Sequence, residues 1–121
     1  MPRARPILGC LVLAALLSAA PAAAAEATRG LPLVPGSRPA ETPGVYVSGR
    51  GLRDTRTFYS RHLRRAGIAH RVIPLQRRRG VEHQRFLATG DDSPWAAIQV
   101  YRHRGVTYVA IVGPPPLDLD P

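Results

Sequence analysis

Four histidines and a few carboxylates are the residues of this 121-residue chain whose types suit acid–base or metal chemistry: His62, His70, His83 and His103, with Glu82, Asp91 and Asp92. A metal site needs two or more such groups to converge, and no HxH, HxxxH or HExxH spacing forces that here. The histidines read as solvent-facing or hydrogen-bonded side chains, and neither a metal nor a cofactor is expected. Phosphodiester cleavage needs a base, an acid and a cation on the phosphate. Glu82, His83 or His103, and Arg78 or Arg85 can be cast in those roles, but nothing in their spacing demands it. No catalytic residue is assigned. A small secreted hydrolase or nuclease stays as an alternative that requires Glu82, His83 and His103 to share one cleft.

Two short motifs read as turns before they read as sites. Ser48-Gly49-Arg50-Gly51, between a strand and a helix, brings backbone N–H groups near a helix N-terminus, an anion-binding arrangement, yet lacks both G-x-G-x-x-G and the P-loop pattern. Asp91-Asp92-Ser93-Pro94 supplies too few oxygens at defined offsets for calcium.

Arginine carries the remaining chemistry. All 17 basic residues are Arg, with no Lys and no Asn, a bias that a GC-rich genome produces by itself. From Glu26 onward there are 15 Arg against 8 acids, and within 45–113 there are 13 against 4. A field of that sign attracts phospholipid, lipopolysaccharide, nucleic acid or acidic wall polymer, although a solvated arginine surface is the plainer explanation. The densest clusters are Arg77-Arg78-Arg79 with Arg85, and Arg61, Arg64 and Arg65 on a helix. These seven are the candidate anion- or glycan-binding residues, forming a continuous patch if the two clusters share one side. Trp95, Tyr46, Tyr59, Tyr101 and Tyr108 are the rings able to stack on a sugar or base, and most look needed for the core.

The elements that must position these residues follow from pattern. Residues 45–47 are β-rich and end in Ser48-Gly49. Asp54 suits the N-cap of a helix over 55–66, with Gly67 as its stop and Phe58, Tyr59, Leu63 and Ala66 as its buried stripe. Residues 68–74 alternate as a second strand, 77–80 read as a loop, and 81–88 as a further strand. Residues 95–101 and 106–112 are two β-rich runs joined by Arg102-His103-Arg104-Gly105, a C-terminal hairpin. The near-continuous apolar character of 106–112 suggests a central strand. The order β-α-β-(β)-β-β predicts an α+β fold: one small domain, an antiparallel or mixed sheet with one helix packed on it. The first β-α-β step is a right-handed crossover if its two strands are parallel.

Outside this unit, residues 1–25 have the layout of a secretory signal peptide. Arg3 and Arg5 form the positive start, 7–20 an uncharged apolar stretch, and Pro21 with Ala23-Ala24-Ala25 a cleavage region. The apolar stretch is short for a bilayer span, and an uncleaved anchor is the alternative. Cys10 follows Leu8-Gly9 but precedes the apolar stretch, which rules against lipidation there. Cleavage would remove Cys10, the sole cysteine, so the mature domain has no disulfide or thiolate. Residues 26–44 are Pro/Gly-rich and read as a flexible arm, 45–113 as the α+β domain, and 114–121 as a Pro-rich tail. Export to the periplasm or outside the cell is expected.

VYVSGRGLRDTRTFYSRHLRRAGIAHRVIP (45–74), with TYVAIVGP (107–114), resembles the first half of a SPOR domain. In that family a strand leads into a helix ending L…L…G, then a strand of the "ARVVP" kind and a strand closing on "VGP". The resemblance implies a small exported sheet-on-helix domain that binds peptidoglycan glycan strands stripped of their peptides. A broader resemblance is to small exported bacterial proteins with no activity to carry over, through Pro35-Gly36-Ser37, Phe58-Tyr59, Leu63, Gly67 and the final hairpin. The expected function is a non-enzymatic binding or accessory module of the cell envelope, its partner an anionic polymer, a glycan or a lipid surface. A protein partner is the alternative. Nucleic acid is not expected, and the membrane is met only through the uncleaved signal peptide.

Overall fold

Alternation along the strands sets two faces, and the described residues cover one of them. The computed structural model describes residues 28–114. They form six strands, β1 (Arg38–Pro39), β2 (Val45–Val47), β3 (His70–Arg78), β4 (Val81–Ala88), β5 (Ala97–His103) and β6 (Val106–Val112), and one helix, α1 (Leu52–Arg65). The strands make one sheet in the order β1-β2-β6-β5-β4-β3 with every pairing antiparallel. The fold is α+β, with β6 central as its apolar run requires. β2 and β3 point the same way but are not neighbours. β6, β5 and β4 lie between them, and the chain through α1 crosses the sheet to join them.

Tyr46, Gln84, Phe86, Ile98, Val100, Thr107, Val109 and Ile111 share one face and are buried beneath α1. α1 contributes Leu52, Thr55, Tyr59 and Leu63, spaced to fall on one helical stripe. Trp95, in the approach to β5, is 2% exposed and belongs to the same core. The helix starts at Leu52 rather than after Asp54. Gly51 occupies the cap position with no side-chain hydrogen bond, and Asp54 sits in the first turn, where a carboxylate favours the N–H end of the helix. Ala66, expected inside the stripe, is exposed, and the chain leaves the helix at Gly67, whose φ is +65°.

Two predicted loops are tighter than their sequences suggested. Arg77 and Arg78 belong to β3, and the turn is Arg79-Gly80 alone, with φ of 53° and 78°. Arg102 and His103 belong to β5, and Arg104-Gly105 turn the chain with φ of 51° and 76°. Both are two-residue turns with positive φ at each centre, which suits the strand twist and favours glycine at the second place. β3 runs on through Pro74 because it is an edge strand, where a missing N–H is tolerated. Its register shifts between Ile73 and Gln76.

The described part of the Pro/Gly-rich segment is not a free arm. Leu31 and Val34, the latter 1% exposed, enter the core, Pro32 O accepts the Tyr59 hydroxyl at 3.0 Å, and β1 pairs with β2. Isolated apolar residues among prolines have no periodicity to reveal this packing. Pro35-Gly36-Ser37 docks on Gly49. A Cβ there would stand 2.1 Å from Pro35 O, and Ser37 Oγ accepts the Gly49 N–H. Every core residue among the described residues lies between Leu31 and Ile111, so a fragment spanning 26–121 keeps all of them. The expected signal peptide (1–25) and the tail beyond Pro114 lie outside the described residues.

Candidate functional site

The face opposite α1 has no covering element among the described residues. Strand pairing puts Tyr101 opposite Tyr108, Gln99 between Arg85 and Ala110, and His83 between Gln76 and Tyr101. The two tyrosine rings stack with centroids 5.1 Å apart and planes 17° apart. Both are half-buried, each ring stacked against the other and partly open to solvent. Burial, with a smaller contribution from Tyr108, raises the Tyr101 hydroxyl pKa above its usual value, so the Tyr101 ring is neutral through the physiological range.

Two shallow grooves flank the pair. One, of about 680 Å³, runs over β3 to β6 and is lined among others by Gln76, Arg78, His83, Arg85 and Gln99. The other, of about 550 Å³, lies toward β1 and includes Arg38, Glu41, Thr42 and Val47. Arg85 Nε is buried without a hydrogen-bond partner among the described residues. A buried donor left unpaired is costly, so this guanidinium is set to donate to a ligand oxygen. The face therefore offers a stacked aromatic pair beside side-chain amides and cations. That set suits a ring with an apolar face and a polar rim, such as a sugar, with added preference for acidic groups.

The seven arginines expected to bind anions do not form one patch. Arg78 and Arg85 line the open face, while Arg61, Arg64 and Arg65 stand on the exposed side of α1, across the sheet. Arg56 Nε reaches Gln84 Oε1 at 2.5 Å on the helix side, which fixes Arg85, the next residue in β4, to the other. Arg77 also points away from the open face and pairs with Glu82 at 3.2 Å; Arg79 is in the turn. Clusters consecutive in sequence were divided by the period of a strand.

The catalytic alternative loses its geometry in the same way. Glu82 and His83 are consecutive in β4 and project to opposite faces. Glu82 is hydrogen-bonded to Arg102 and paired with Arg77, and the Arg102 bond chiefly holds its carboxyl below the usual range. His70 Nδ1 is 2.8 Å from Ile68 O, a local contact. Among the described residues no three His, Cys, Asp or Glu side chains gather as a metal site. The Ser48–Gly51 turn spends its N–H groups internally: Gly49 N donates to Ser37 Oγ and Arg50 N to Ser48 Oγ, which also bonds Thr55 Oγ1 at 2.6 Å.

Sequence reasoning missed the Tyr101–Tyr108 pair, Gln76, Gln99 and Arg38. The available signal was the hairpin. A two-residue Arg104-Gly105 turn puts 103 opposite 106 and so 101 opposite 108, whereas a four-residue loop does not. Together the fold and this face define a class, a small α+β domain with a one-sided sheet. Comparisons with protein-family models, with curated proteins and with solved structures give no significant match to this chain.

Proposed function

We propose that this protein is a small exported module of the cell envelope that binds, without chemistry, a glycan or acidic polymer across the open face of its sheet. The stacked Tyr101–Tyr108 pair carries this reading. Rings left uncovered on a sheet that buries Tyr46, Tyr59, Phe86 and Trp95 so fully are placed for contact with something outside the fold. Arg78, Arg85, Gln76 and Gln99 provide donors at the rim, and the signal-like N-terminus and the SPOR-like segments favour a wall glycan as the partner class.

A second reading, a protein partner, draws on β3. Among the described residues this edge strand is unpaired on its outer side, with Val72 45% and Leu75 39% exposed. Pro74, the register shift and Arg71, Arg77 and Arg78 all blunt that edge against strand addition, which favours the glycan reading.

The test is co-sedimentation of 26–121 with cell-wall sacculi across a salt series. Stacking and buried hydrogen bonds are expected to keep the protein bound at about 0.5 M salt, where exposed charge pairs are largely screened. Binding lost at that salt would reduce the arginines to generic attraction, and no binding at any salt would end the glycan reading.

A further inference from the structure

The outer side of α1 is as cationic as the open face is aromatic, and it is a separate surface. Arg53, Arg61, Arg64 and Arg65 are exposed along it, Arg56 is partly exposed, and Arg50 precedes it. Asp54 is the acid on the helix, and among the described residues none of these arginines forms an ion pair. Two grooves run beside Thr57, one bordered by Arg50, Arg61 and Arg65 and the other by Arg53, Arg56 and Arg64. Unneutralised guanidiniums in rows on one side of a helix complement a surface of repeated phosphates.

The place where the described chain begins bears on what that surface meets. Pro32 borders the same groove as Arg61 and Arg65, and Leu31 packs near His62, so the chain enters the domain alongside α1. The apolar stretch 7–20 is separated from Thr28 only by residues 21–27, whose reach is at most about 25 Å. Were that stretch kept as the anchor, the alternative to cleavage, it would hold the domain to the membrane by a short link that joins on its arginine-bearing side.

We infer that the outer face of α1 is a membrane-docking surface that seats on anionic phospholipid headgroups, while the open sheet face points away toward the wall. This goes beyond the glycan reading and uses different residues. The contact is electrostatic, because Leu52, Tyr59 and Leu63 are buried in the core and Phe58 packs against it, leaving no apolar stripe to insert. It is therefore strong at low salt and absent at high salt, the reverse of what is expected on the sheet face.

The experiment is co-sedimentation of 26–121 with phosphatidylcholine vesicles containing phosphatidylglycerol, against phosphatidylcholine alone. R61Q/R64Q/R65Q removes three exposed charges that form no ion pair among the described residues, and circular dichroism checks its fold. Each arginine near an anionic surface contributes about fivefold in affinity, so the triple variant is expected to bind on the order of a hundredfold more weakly. Y101A/Y108A is expected to bind vesicles like the parent while losing sacculi. Equal binding to both vesicle types, undiminished binding by the triple variant, or capture of inorganic polyphosphate without capture of vesicles would overturn the inference. Vesicle binding by a protein that ignores sacculi would sink the glycan reading alone.

Discussion

The two faces of one sheet are built from the same strands and have opposite fates. In β5, Ile98 and Val100 are fully buried under α1, while Gln99 and Tyr101, one residue away, stay half open. In β6, Val109 and Ile111 are buried and Tyr108 and Ala110 are not. A single helix can cover one side only, so among the described residues stability is concentrated on that side and the other stays open, as the proposed ligand site requires. Substitutions that reach the covered face should cost folding, and substitutions on the open face should cost binding.

The largest effect is expected from Phe86→Ala. Its ring is fully buried in β4 at the centre of the covered face, and truncation should cost about 3–5 kcal/mol in urea unfolding. A loss near 1 kcal/mol would mean that the core is far looser than its burial implies. Gly49→Ala comes next. The new methyl would collide with the Pro35 carbonyl, and a loss of about 1–3 kcal/mol would show that the 28–44 segment is part of the folded unit. An unchanged midpoint would restore a detachable arm.

Tyr59→Phe removes the hydroxyl bond to Pro32 O and should cost about 1 kcal/mol. Burial, helped slightly by Tyr46, raises the Tyr59 pKa well above its ordinary value near 10. The unfolded chain then loses its proton first, so stability from this group is complete below pH 10 and falls as pH rises above it. Alkaline denaturation followed by Trp95 fluorescence should be displaced to higher pH in the variant. The smallest change is expected from Glu82→Gln. Arg102 and Arg77 hold the Glu82 carboxyl below its usual range, so what it adds is present above that range and fades as pH falls through the lowered value. The variant should flatten the acid limb of the stability profile and leave the neutral plateau almost unchanged.

The covered face was largely legible in the sequence, because burial there obeys simple periods. The β6 run, the 81–88 strand and the Tyr59–Leu63 stripe all follow from side-chain spacing, and Gly67 marked the helix end. Leu31 and Val34 escaped because a lone apolar residue among prolines carries no period. Pro74 misled because its meaning depends on whether a strand lies at an edge, which is a property of the sheet. The open face was less legible for a related reason. Its members are far apart in sequence and meet only through register, so a two-residue difference in the reading of the Arg104-Gly105 turn hid the tyrosine pair. The arginine clusters, conspicuous in sequence, were divided between faces by that same alternation.

The measurement that tests the central claim most directly is sacculus co-sedimentation of 26–121 and its Y101A/Y108A variant at about 0.5 M salt, with urea midpoints recorded for both. Aromatic stacking on a ligand ring contributes about 1–3 kcal/mol per ring, so the variant should bind at least tenfold more weakly while remaining folded. Equal binding by the two proteins would contradict a ligand site on the open face.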